Sequence, residues 1–138
     1  MKIKAGMILM VAWWQSILAM LGSLYFSQVL RLPPCVLCWY QRIAMYPLVV
    51  ILGVGLYLKD KRVVYYAAPL AIFGWLVAMY HNLLYYKFLP ESIIPCKLGV
   101  SCTTKLIEWA GFITIPLLSL AGFSVILGCL WLVGRKRD

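Results

Sequence analysis

Two pairs of cysteines carry the chemistry open to this sequence. Cys35 and Cys38 form a CxxC in Pro33-Pro34-Cys35-Val36-Leu37-Cys38, and Cys96 and Cys102 form a second pair with five residues between them. Paired thiols can staple a fold, ligate a metal, or exchange disulfides with another protein. Stapling is the commoner role of secreted cysteines. Here, closing a five-residue loop would add only about 2–3 kcal/mol in the chain-entropy model, and a CxxC would stabilise still less. Tight loops of this kind tend to be strained, which makes their disulfides better oxidants. A zinc site would require four thiolates on an oxidising face, so no metal is assigned.

The CxxC falls where an apolar stretch begins. A helix starting there offers free N–H groups and the positive end of its dipole, which are expected to favour a thiolate at Cys38. Arg42 follows Cys38 by four residues and Cys35 by seven, so all three share a helix face. Arg42 could stabilise that thiolate, or it could snorkel to lipid phosphates. Making a disulfide from two thiols releases two electrons and two protons. The chain has no GxGxxG after a strand and no CxxCH to receive them. A lipid-soluble quinone, ubiquinone or menaquinone, is the acceptor left by elimination.

The elements that must position these residues are membrane helices. The 138 residues are 64% apolar and 12% charged, with a mean hydropathy of +0.92, far from the composition of a soluble domain. Apolar stretches at about 6–30, 40–58, 63–86 and 109–133 are each long enough to cross a bilayer and show no strand-like alternation. The reading is an all-α, four-transmembrane-helix bundle forming one integral membrane domain over residues 1–138, with Pro47, Pro69 and Pro116 as bends within helices. The first stretch is too long for the apolar core of a cleaved signal peptide, so it is taken as a retained helix.

Charge sets the expected orientation. Lys2, Lys4, Lys59, Lys61, Arg62, Arg135, Lys136 and Arg137 crowd three short segments, which places both termini in the cytoplasm. The CxxC and the Cys96/Cys102 pair then lie on the extracytoplasmic face of the cell membrane, where disulfides persist. The net charge of +9 reads as topology and contact with anionic lipid, with no nucleic-acid partner. Cys129, alone in the fourth stretch, reads as a small apolar residue. Most tyrosines and tryptophans fall in interfacial belts; Trp13 and Trp14 lie too deep for that.

Pro34-Cys35-Val36-Leu37-Cys38-Trp39-Tyr40-Gln41-Arg42, the cysteine pair after the third stretch, and Trp109-Ala110-Gly111-Phe112-Ile113-Thr114-Ile115-Pro116 together resemble the DsbB family of disulfide-forming membrane proteins. The short second loop is most similar to BdbC, its Gram-positive branch. Vitamin K epoxide reductase relatives place their CxxC late, near the fourth helix, unlike this chain. The resemblance implies a relay in which a DsbA-like (BdbD-type) thioredoxin-fold partner attacks a Cys96–Cys102 disulfide at Cys96. Cys102 then attacks Cys35, leaving Cys38 as a thiolate against the quinone with Arg42 stabilising it. It also implies a quinone-site role for His81, whose alternative is an interfacial histidine satisfied by water. Gln41 departs from proteobacterial members, which often carry an acid there, and a Gram-positive branch suggests menaquinone. Two further readings remain: a membrane scaffold with two stapled loops, and a conduit carrying electrons outward to reduce substrates.

Overall fold

The computed structural model describes residues 3–31, 35–88, 90, 108–109 and 113–136. Its helices are α1 (Ile3–Leu24), continued by a π-helical turn over Tyr25–Val29, α2 (Val36–Tyr57), α3 (Val63–Tyr85) and α4 (Ile115–Arg135). All four are long and apolar enough to cross a membrane. They pack in a ring, α1 against α2, α2 against α3, α3 against α4 and α4 against α1. Two-residue strands β1 (Glu108–Trp109) and β2 (Ile113–Thr114) pair antiparallel just ahead of α4.

Two boundaries differ from the sequence reading in ways that matter to the site. The second helix starts at Val36 rather than near Tyr40, because Cys35 adopts an extended conformation (φ −76°, ψ 171°) and caps it. The fourth starts at Ile115 rather than near Trp109. Thr114 Oγ1 accepts the Leu117 N–H at 3.4 Å as the N-cap, and Pro116 sits in the first turn, where its missing N–H costs nothing. Pro116 therefore begins a helix and does not bend one, whereas Pro47 and Pro69 do lie inside α2 and α3.

The helix ends are closed by basic residues. Lys59 and Lys87 take positive φ (52° and 60°) just beyond α2 and α3. In α2 the Asp60 N–H reaches Gly55 O at 3.0 Å and the Lys59 N–H reaches Leu56 O at 3.2 Å; in α3 Phe88 and Lys87 bond Leu83 O and Leu84 O in the same way. This is the Schellman pattern, with lysine where glycine is usual. The lysine charge lies at the negative end of the helix dipole, which offsets part of the cost of a left-handed backbone.

Lipid tails are as apolar as leucine, so close packing and hydrogen bonds hold the bundle rather than burial from water. Ala12, Ala67, Ala71 and Ala78 are fully buried and let Leu9, Leu48, Phe123 and Ile126 interlock. Trp13 donates from Nε1 to Val49 O at 3.1 Å, tying α1 to α2, and Gly53 makes the room, since a Cβ there would lie 3.0 Å from that nitrogen. Trp14 points outward, 53% exposed. Asn82 Nδ2 donates to Pro116 O at 2.8 Å, fixing the first turn of α4 against α3.

Gly74 is the tightest of these contacts: a Cβ there would overlap the buried Phe123 ring. Gly74→Ala should lower stability by about 1–3 kcal/mol, the usual cost of overpacking. Gly128→Ala, with nothing within 4 Å, should be neutral. Thermal unfolding of both variants in detergent checks the contrast.

Candidate active site

The site is built on the first turn of α2. With Cys35 as N-cap, Val36 and Leu37 are the first two helical residues and Cys38 is the third. An N-cap side chain ordinarily accepts a hydrogen bond from the N–H of the third residue. Cys35 Sγ does so in place of a serine oxygen, accepting the Cys38 N–H at 3.4 Å. The same geometry sets the two sulfurs 3.0 Å apart as free thiols. The CxxC spacing thus matches the spacing of a cap and its partner, and the pair needs little motion to close a disulfide.

The helix start therefore serves Cys35, a correction to the sequence reading, which assigned its benefit to Cys38. Cys35 is buried with Leu37 and Leu84, with Tyr80 and Val77 packed alongside. Its pKa is lowered to about 4, chiefly by the hydrogen bond from the Cys38 side chain and secondarily by the His81 ring, while burial opposes the shift. His81 Nε2 lies 3.8 Å from Cys35 Sγ, and Gln41 Nε2 lies 3.2 Å from His81 Nδ1. An amide nitrogen can only donate, so Nδ1 accepts and Nε2 is left to carry a proton toward the sulfur. Gln41, noted in the sequence only as a departure from an acid, is the residue that orients this histidine.

Cys38 lines a different space, a cavity of about 310 Å³ bordered by α1, α2 and α4. Arg42 lines it too, and its guanidinium is tied down. Nε donates to Ser23 Oγ at 2.8 Å, Nη2 donates to Ser23 O at 3.0 Å, and Cζ lies 5.4 Å from the Trp39 ring centroid. Ser23 stands just before the π-helical turn, a deformation that recurs beside functional sites. The structure thus brings Cys35, Cys38, Arg42 and His81 to one end of the bundle but divides them. Cys38 and Arg42 border the cavity, whereas His81 stands against Cys35 on the α3 side and is not among the cavity's lining residues. Cys96 and Cys102 lie outside the described residues. The cavity wall from α4, with Ser119, Gly122 and Phe123, had no signal in the sequence, because small and apolar residues there read only as packing.

The two sulfurs and a His81 ring nitrogen lie within 4.8 Å of one another, a set that could ligate a soft metal ion. They can equally close and reopen a disulfide.

A four-helix membrane bundle with a close dithiol at a helix start is the framework of a membrane thiol oxidoreductase. The comparisons give the family. A family model described as disulfide bond formation protein DsbB matches residues 5–133, and the chain belongs to that family. Disulfide bond formation protein C of Bacillus subtilis is 46% identical, over 94% of this chain and 95% of its own length. A probable disulfide formation protein C 2 of Bacillus anthracis is also 46% identical, over 93% and 91%, and a probable disulfide formation protein of Chlamydia muridarum is 43% identical, over 91% and 90%. No solved structure matches the chain. The protein is a multi-pass membrane enzyme of disulfide bond formation.

A thiol lowered to about 4 is a thiolate at any pH well above that and is lost only as pH falls through it. Ultraviolet thiolate absorbance of the reduced protein, taken as a difference against Cys35→Ser, should show this group already ionised at neutral pH. Cys38→Ala removes the largest stabilising contact and should move the titration up toward ordinary thiol values.

Proposed function

We propose that this enzyme oxidises an extracytoplasmic thioredoxin-fold partner and delivers the electrons to a membrane quinone, working as one integral membrane domain with both termini in the cytoplasm. The observation that carries the quinone is the cavity shared by Cys38 and Arg42. It fits such a group: its walls are mostly apolar, and Arg42 and Ser23 supply fixed polar atoms at one end. It also shares Gln15 and Leu18 with a shallow groove along α1 lined by Met7, Met10, Val11 and Trp14, which suits an isoprenoid tail. A bound quinone would supply a two-electron, two-proton acceptor.

The chain's own residues then have distinct tasks. Cys96 and Cys102 exchange with the partner, and the electrons reach the CxxC when Cys102 attacks Cys35 Sγ. That attack breaks the Cys35–Cys38 bond and leaves Cys38 as a thiolate beside the cavity, where Arg42 offsets its charge. Cys96, freed when the partner closes its own disulfide, attacks Cys102 Sγ and remakes that bond, and Cys35, stabilised as a thiolate by its cap position and by His81, is the leaving group. The Cys35–Cys38 bond would then reform as two electrons pass to the quinone. Each cycle converts one dithiol of the partner to a disulfide. The crowding of Lys and Arg at the opposite end of the bundle supports the orientation. Four cysteines expected on one face weigh against an outward conduit, and a dithiol that borders a cavity weighs against a stapled scaffold.

Stopped-flow absorbance of the solubilised protein, a reduced thioredoxin-fold partner and a soluble quinone tests the relay. Partner oxidation should match quinone reduction one to one, and Cys38→Ser and Cys96→Ser should each abolish both. Arg42→Met, which removes a charged donor but leaves the cysteines, should weaken the apparent affinity for quinone about tenfold or more. A wild-type protein that leaves the partner reduced, with both cysteine variants folded and equally inert, would mean that the cysteines are staples.

A further inference from the structure

Gln15 is a carboxamide in the middle of α1, a helix otherwise apolar from Met7 to Leu24 except at Ser16 and Ser23. Ser16 is satisfied locally, its hydroxyl donating to Trp13 O at 2.7 Å, and Ser23 accepts from Arg42. Gln15 has no hydrogen-bond partner among the described residues, yet it lines the same cavity as Cys38 and Arg42. Gly122 of α4 lies beside it, where a Cβ would come within ordinary contact distance, 3.4 Å, of Gln15 Nε2. Gly122 is seven residues beyond Ile115, the start of α4, or about 10 Å along the helix. Gln15 also precedes Ser23, which anchors the Arg42 guanidinium, by eight residues, or about 12 Å along α1, so the amide stands deeper in the bundle than the Arg42 end of the cavity.

An unpaired amide within a membrane span is costly and finds its partner in a bundle interior or a ligand. Resting on the quinone reading, we propose that Gln15 is the residue that binds the quinone carbonyl remote from Cys38 and Arg42, fixing the ring in the cavity by its far end. A carboxamide suits both redox states of such a ring. Its Nε2 donates to the carbonyl oxygen of the quinone, and its Oε1 accepts from the hydroxyl of the quinol. No proton or electron passes through Gln15; it positions the ring and takes no part in the exchange.

The test uses the full-length protein in detergent and a short-chain 1,4-quinone carrying carbon-13 at one carbonyl or the other. In the wild type, infrared difference spectra should show both carbonyl stretches lowered by hydrogen bonding. In Gln15→Leu one of them should return toward its free frequency while the other stays. Equilibrium binding of the quinone should weaken about tenfold, and thermal stability of the quinone-free protein should hold or rise, because an unpaired polar group has been removed. Arg42→Met should shift the other carbonyl. Unchanged carbonyl bands and affinity in Gln15→Leu, with the wild type binding normally, would overturn the assignment and leave the quinone reading intact. A wild-type protein that binds no quinone would overturn both.

Discussion

One hydrogen bond organises the working end of this protein: the Cys38 N–H donated to Cys35 Sγ across the first turn of α2. A helix must satisfy its first N–H groups from outside its own ladder, and in a membrane protein water cannot be counted on to do so. Using a thiol as the cap solves that problem and the chemical one together. It starts the helix, brings the second thiol to 3.0 Å, and gives the capping sulfur donors that favour its charged form. A serine at Cys35 would cap equally well and do no redox chemistry, so the structural demand alone does not explain the residue.

The rest of the bundle divides the two sulfurs between two environments. On the α3 side, Gln41 holds His81 so that its protonated nitrogen faces Cys35. On the α1 and α4 side, Cys38 opens onto the cavity whose polar end is Arg42 locked on Ser23. A relay needs such an asymmetry. In the proposed relay Cys35 would exchange disulfide bonds with Cys102 while Cys38 faces the acceptor. The small residues that let the helices approach, Gly53 beside Trp13 and Gly74 beside Phe123, keep these two walls in register without help from the hydrophobic effect.

The spans, the CxxC at a helix start and the family were legible in the sequence, because apolar length and CxxC spacing are local signals. The loss of four residues from the start of α2 was also local in origin. Hydropathy marks where lipid begins, whereas the helix begins at its cap, and a cysteine is not a usual capping residue. Thr114 and Pro116 carry the signature of a helix start, but hydropathy alone places them inside a span. What no local signal carried was partnership across the bundle. The bond of Arg42 to Ser23, the contact of Gln41 with His81, and the meeting of Gln15 with Gly122 pair residues far apart in sequence, with no pattern linking them. His81 stood out only through the family resemblance, and its contact with Cys35 rather than the cavity is a tertiary fact.

In the proposed relay the electron acceptor sits between α1, α2 and α4, against Cys38 and away from His81. Photoaffinity labelling with an azidoquinone, followed by mass spectrometry of the cross-linked peptides, tests it most directly. Label is expected on the segment from Gln15 of α1 to Ser27 of the π-helical turn and on the α4 segment from Ile115 to Phe123, competed away by unmodified quinone. Label concentrated on α3 around His81, with those two segments clean, would contradict it.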